Sequence, residues 1–175
     1  SHVEVLVDRR WDRRQPLYLR RLAGETGLGI LVLHTPFDAD VPGWPSDPCG
    51  RLERTAELAR ELGVANVVAH LPMRLVLLGL QWISDRPRHA LLPLPWPQAP
   101  RYARFLTRDL ATFEAQSGVT VAVENMPPKR LLGASVDVYR YNSATELGRF
   151  PHLTLDTTHL GVWGHDPLRW YERLR

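Results

Sequence analysis

Val119-Thr-Val-Ala-Val-Glu124-Asn125 and Leu153-Thr-Leu-Asp156-Thr-Thr-His159 are the two stretches whose reading decides the fold. Each is a short run of apolar and β-branched residues that stops at a carboxylate. A run of that length reads as a strand buried on both faces, as in a parallel sheet. An unpaired carboxylate at the end of such a strand costs several kcal/mol to remove from water, roughly, so it needs a partner. The chain's many arginines are one candidate partner and a divalent cation is another. His159, three residues past Asp156, adds a nitrogen donor where the strand gives way to its loop.

The pattern extends outward. HVEVLVD (His2–Asp8), LGILVLH (Leu28–His34) and VANVVAH (Val64–His70) are further strands, the last two ending in histidine. Between them lie predicted helices. The first starts at Pro16, runs through Leu22 and is broken by Gly24 and Gly27. The second spans Arg51–Leu62, with apolar residues at helical spacing and Gly63 as its stop. A third covers Arg101–Gln116 and ends at Ser117-Gly118. Ser143 and Glu146 have capping-box spacing, and Asp166-Pro167 opens a last helix over Leu168–Arg175. The loop after His34 carries Trp44 and Cys49. Leu71–Pro100 is dense in Pro, Leu and Trp. Within it Leu75–Trp82 reads as a short helix and Pro93–Pro97 as extended chain.

Strand, polar residue at its C-terminal end, loop, helix and glycine recur five times, which implies a parallel sheet. An open doubly wound sheet would gather its ligands at one switch point behind a glycine-rich turn, and HVEVLVDRRWDRR offers none. A barrel brings every strand end to one mouth. The expected fold is therefore a (β/α)8 TIM barrel, with residues 1–175 forming one partial domain.

Composition narrows the function classes. With 44% hydrophobic and 23% charged residues the chain reads as ordinary globular protein. Its net charge of +3 is carried almost wholly by arginines spread along every predicted helix, unlike the concentrated patch of a nucleic-acid binder. A single cysteine excludes an internal disulfide. No apolar run is long enough to span a bilayer and no signal peptide opens the sequence, so the expected location is the cytoplasm.

His34, His70, Glu124, Asp156 and His159 all fall at or just past predicted strand ends and would converge on one rim. This mixed set suits zinc, manganese, cobalt, iron or magnesium without choosing among them. Arg9, Arg10 and Arg130, in loops on the mouth side, are candidates to hold an anion. Trp11, Trp44 and Trp163 are candidates to wall a cavity or to pack.

LHTPFD, VVAHLP, VAVENMP and LTLDTTHLGVWG resemble strands three to six of the xylose isomerase-like, divalent-metal-dependent TIM barrels. The resemblance covers essentially the whole chain, and Glu124-Asn125 with Asp156-x-x-His159 is its most specific part. It implies a metal-dependent isomerase or epimerase of a sugar, polyol or sugar phosphate. Glu124 and Asp156 would be ligands, with Glu124 also moving the proton; His70, His159 and His34 would complete the metal set. His34, Asn125 and His159 would meet the carbohydrate substrate. The superfamily also contains endonuclease IV, whose counterparts would make all five positions zinc ligands acting on DNA. The stretches Leu71-Pro72-Met73 and Asn125-Met126-Pro127-Pro128 depart from that enzyme's motifs. A barrel that has lost catalysis and serves as a binding module is a third reading, and a homo-oligomer is compatible with all three. Such barrels run to about 250 residues, and this chain supplies what read as strands two to six. The expectation is a portion of a longer polypeptide.

Overall fold

The computed structural model describes residues 1–74, 76–82, 88–94, 100–131 and 133–175. β1 (His2–Leu6) leads through a 3-10 turn to α1 (Pro16–Thr26), then β2 (Gly29–His34), α2 (Pro48–Leu62) and β3 (Asn66–Ala69). A hairpin of β4 (Val76–Trp82) and β5 (Arg88–Leu94) follows. Next come α3 (Pro100–Arg104), a π turn over Phe105–Asp109, and α4 (Leu110–Ser117), leading to β6 (Thr120–Glu124). A small hairpin, β7 (Lys129–Leu131) with β8 (Ala134–Val136), precedes α5 (Ala144–Leu147). The chain continues through β9 (Leu153–Thr154), α6 (Thr157–Trp163) and α7 (Pro167–Leu174).

The main sheet has five strands in the order β1-β2-β3-β6-β9, and every pairing in it is parallel. Sequential order without reversal is what a barrel wall requires and what a doubly wound sheet lacks. Register sorts the side chains by face. Leu33, Val67 and Val121 stand level across β2, β3 and β6, all with zero exposure. They share one core with Leu52, Ala56, Leu58 and Ala59 of α2. Truncating a fully buried leucine such as Leu58 to alanine costs about 2–5 kcal/mol in sites of this kind. Positions of the opposite parity, His34 with Val68 and Ala122, and Glu124 two residues further, face the other way. The sheet thus presents its helix-covered side as core and turns its polar strand ends to the opposite side.

Helix limits follow from their end residues. α2 starts where the Asp47 side chain accepts from the Gly50 N–H at 3.0 Å, with Pro48 in the first turn. It stops at Gly63, whose φ of 72° is left-handed. The predicted capping box of α5 is formed: Ser143 accepts from the Glu146 N–H, and the Glu146 carboxylate reaches back to Ser143.

Five local expectations are corrected. α1 runs through Gly24 to Thr26, because a single interior glycine costs only about 1 kcal/mol and Gly27 supplies the real stop. Cys49 lies in the first turn of α2 rather than in a loop. The stretch expected as a helix over Leu75–Trp82 is strand β4 from Val76 onward, antiparallel to β5. A short apolar run carries no period strong enough to separate the two states. Pro93 belongs to β5 as part of the extended chain expected there, whereas residues 95–97 lie outside the described residues. Finally, the Asp156 strand is short and turns at once into α6, and a β7–β8 hairpin occupies the loop expected after Pro128.

Candidate metal centre

Glu124 is the hub. It ends β6 with only 5% of its surface exposed. One of its oxygens, Oε2, lies 3.3 Å from His34 Nε2 and 3.6 Å from His70 Nε2. The two imidazoles come from the ends of β2 and β3, with ring centroids 4.6 Å apart. Parity explains the meeting, since all three residues project from the same side of adjacent strands.

A second group forms around the β9 end. Asp156 caps α6, its Oδ1 accepting from the His159 N–H at 2.9 Å. That leaves Oδ2, which stands 3.6 Å from His159 Nε2. Each of two sets, His34–His70–Glu124 and Glu124–Asp156–His159, offers donor atoms that all lie within 4.8 Å of one another. Glu124 belongs to both.

The residues fit a cation on two observations. Donors about 2.1 Å from a tetrahedral ion sit about 3.4 Å from one another, which matches the separations of 3.3 and 3.6 Å above. Second, the ring orientations are fixed. His159 Nδ1 faces the Asn125 carbonyl oxygen at 2.7 Å, and His34 Nδ1 faces the Thr35 carbonyl oxygen at 3.2 Å. A carbonyl only accepts, so each Nδ1 carries the proton and donates it, and each Nε2 is turned toward the carboxylates.

Electrostatics separate the two neighbouring histidines. Burial opposes the charge on His34, but the hydrogen bond and negative charge of Glu124 outweigh it and raise the pKa. Burial, followed by the charges of His34, Arg51 and His159, pushes His70 down to about 3, which leaves it neutral.

The surrounding cavity has a volume of about 320 Å³. Glu4, Phe37, Lys129 and Tyr139 also line it, and the sequence pattern did not single them out. Glu4 Oε1 is 3.9 Å from His34 Nε2. Its signal was available, because in HVEVLVD a lone carboxylate between valines falls on the parity opposite to the core. Phe37 stands edge-on to His70 with centroids 5.1 Å apart, and the Lys129 ammonium lies 5.5 Å from the Phe37 ring centre.

Other expected residues are placed elsewhere. Asn125 is 1% exposed and its amide is consumed by the Asp156 backbone, so it supports the site rather than facing the cavity. Arg9 pairs with Asp40 and Asp38, and Arg10 with Asp8, which turns both away from an anion at the mouth. Arg130 is exposed on β7. Trp44 is buried and donates to Thr55, Trp11 is exposed beside Tyr18, and Trp163 donates to the Met126 carbonyl oxygen at 3.0 Å. Among the described residues no helix is long and apolar enough to cross a membrane.

No family model matches the chain. An uncharacterized protein of Mycobacterium leprae is 28% identical over 150 residues, covering 75% of this chain and 45% of that protein. Another, from Mycobacterium tuberculosis, is 26% identical over 176 residues, 89% of this chain and 55% of its own length. The chain thus spans about half the length of the curated relatives it matches. Among solved structures, a D-tagatose 3-epimerase-like protein superposes with a TM-score of 0.54 at 19% identity, over 99% of this chain and 62% of that one. A xylose isomerase domain protein from Planctomyces limnophilus gives 0.55 at 16%, over 99% and 60%. The 3-keto-D-glucoside 4-epimerase of E. coli gives 0.52 at 16%, over 90% and 59%. Parallel strands in sequential order, polar residues gathered at their ends and these superpositions give one conclusion: the chain has the fold of part of a TIM barrel, like the barrels of these solved structures.

Proposed function

We propose that the protein is a divalent-metal-dependent isomerase or epimerase acting on a sugar, a polyol or a sugar phosphate. The observation that carries this reading is the buried Glu124 carboxylate shared by two His/carboxylate groups at the ends of parallel strands. The likeness in fold to a D-tagatose 3-epimerase-like protein and a 3-keto-D-glucoside 4-epimerase supports a carbohydrate as substrate.

His70, Glu124, Asp156 and His159, with His34, would hold the cation. When bound, a divalent cation acts as a Lewis acid on adjacent substrate oxygens and makes the neighbouring C–H more acidic. Glu124 then has two distinct oxygens to use. Oε2 faces His34 and His70, and the carboxylate would act with a second carboxylate in moving the proton, one removing it from carbon and the other delivering it. His34, held by the Thr35 carbonyl oxygen, and His159, held by the Asn125 carbonyl oxygen, each present a single free Nε2, which either holds the cation or orients a substrate hydroxyl. Phe37, Leu6 and Met126 supply an apolar wall against bulk water.

The test is metal uptake by the full-length protein, stripped with chelator and titrated with zinc, manganese, cobalt and magnesium in turn. The expected result is stoichiometric binding that Glu124→Gln abolishes, with metal-dependent incorporation of solvent deuterium into a ketose panel. Failure to take up any of these ions refutes the proposal. Three zinc ions per chain with salt-dependent DNA binding would replace it with a phosphodiesterase.

A further inference from the structure

A second cavity, of about 250 Å³, lies directly behind the first. The two share a wall of three rings, Phe37, His70 and Tyr139, which line both. Their chemistry is opposite. Glu4, Glu124 and Asp156 line the first, whereas the second has no acidic residue among its described lining and holds the guanidinium-bearing Arg51. Arg51 is half-buried and donates to the Ser46 carbonyl oxygen; among the described residues it has no ion-pair partner. Burial lowers the Arg51 pKa and works against its charge; Asp47 and Asp38 favour that charge, but neither lines the cavity.

Two hydroxyls in the same lining are anomalous. Tyr139 is 1% exposed and Thr35 is 4% exposed, and among the described residues neither Tyr139 OH nor Thr35 Oγ1 has a hydrogen-bond partner. Buried hydroxyls left unpaired are rare in folded proteins, and each such case asks for a missing acceptor or donor. Here two unpaired donors and a guanidinium share one pocket, and its neighbour offers the means to grip hydroxyl oxygens. Guanidinium and hydroxyl donors together are the set that recognises an oxyanion.

We infer that this second cavity is a subsite for the anionic terminus, phosphate or carboxylate, of a polyhydroxylated substrate whose reacting carbons lie at Glu124. What the anion is attached to rests on the carbohydrate reading above; the subsite itself does not. Arg51 supplies the charge, and Tyr139 and Thr35 donate their hydroxyl protons to the oxygens. The ring wall between the cavities sets how many carbons separate the two ends.

Calorimetric titration of the chelator-treated protein with inorganic phosphate, and separately with acetate, at an ionic strength held constant by sodium chloride, tests this. One of the two ions should bind with unit stoichiometry. Phosphate alone identifies a phosphate ester and acetate alone a sugar acid. Arg51→Met should weaken the binding by at least about tenfold, and Tyr139→Phe and Thr35→Val by about threefold to tenfold each. Should Arg51→Met fail to fold, Tyr139→Phe still decides, since its hydroxyl has no partner to lose among the described residues. Binding that is equal in the parent and in these variants overturns the subsite, as does no binding of either ion. If the parent binds no metal yet retains a variant-sensitive oxyanion site, the isomerase reading fails and the subsite stands.

Discussion

Asn125 and Asp156 are joined by a side chain that takes over from the strand ladder. The Asn125 amide donates to the Asp156 carbonyl oxygen at 3.0 Å and accepts from the Asp156 N–H at 2.6 Å. This pair of bonds extends the β6–β9 contact by one step past Glu124↔Thr154. It fixes Asp156 at the point where it must both cap α6 and face Glu124.

Asn125→Ala is expected to cost about 1–3 kcal/mol, because it leaves a backbone donor and acceptor unpaired. Asn125→Asp should cost more, since one carboxylate oxygen would then face the Asp156 carbonyl. Urea unfolding of the two variants beside the parent gives the order.

Asp156→Asn separates two roles of one carboxylate. Asparagine and aspartate cap helices about equally well, so α6 should keep its start and stability should change by less than about 1 kcal/mol. Metal affinity should nonetheless fall, by about tenfold or more, because Oδ2 loses its charge. Equal metal affinity in the variant would remove Asp156 from the ligand set.

Two buried tyrosines should respond in opposite directions to loss of the hydroxyl. Tyr102 OH donates to the His70 carbonyl oxygen at 2.8 Å, and Tyr102→Phe should cost about 1 kcal/mol. Tyr139 OH has no partner among the described residues, so Tyr139→Phe should leave stability unchanged or raise it by about 1 kcal/mol. Thermal melts of both variants distinguish the cases.

His34 and His70 predict opposed pH effects in chelator-treated protein. The folded value for His34 lies above the ordinary 6.5, so its contribution is complete below 6.5 and is lost as pH rises through the folded value. His70 is held near 3, so its contribution is complete above 6.5 and declines as pH falls from 6.5 toward 3. Proton NMR of the imidazole C–H signals should show His34 titrating above 6.5 and His70 silent down to about pH 3. In Glu124→Gln the first should drop, because burial then acts without the opposing carboxylate.

The strands that build the site were legible because a buried parallel strand is a continuous apolar run, and a polar residue ending it has few structural reasons to be there. His34, His70, Glu124, Asp156 and His159 do meet, in two overlapping groups. Phe37 and Tyr139 were not legible, since loop residues reach the cavity by paths that tertiary packing sets. α6 was hidden by a double meaning. Asp156-x-x-His159 is both a ligand spacing and the spacing from a capping side chain to the N–H it accepts, and only the first was read. Asn125 was misread for a related reason: an amide next to a site residue looks the same in sequence whether it meets a ligand or the neighbouring backbone.

Because one carboxylate serves both donor groups, occupancy of the two cannot be independent. A cation settling beside His34 and His70 withdraws negative charge from the Glu124–Asp156–His159 side, and filling that side first does the reverse. Thermodynamics requires the two penalties to be equal. Wherever a titration of the protein with a divalent ion fills both groups, the first equivalent should be held more tightly than the second, whichever group fills first.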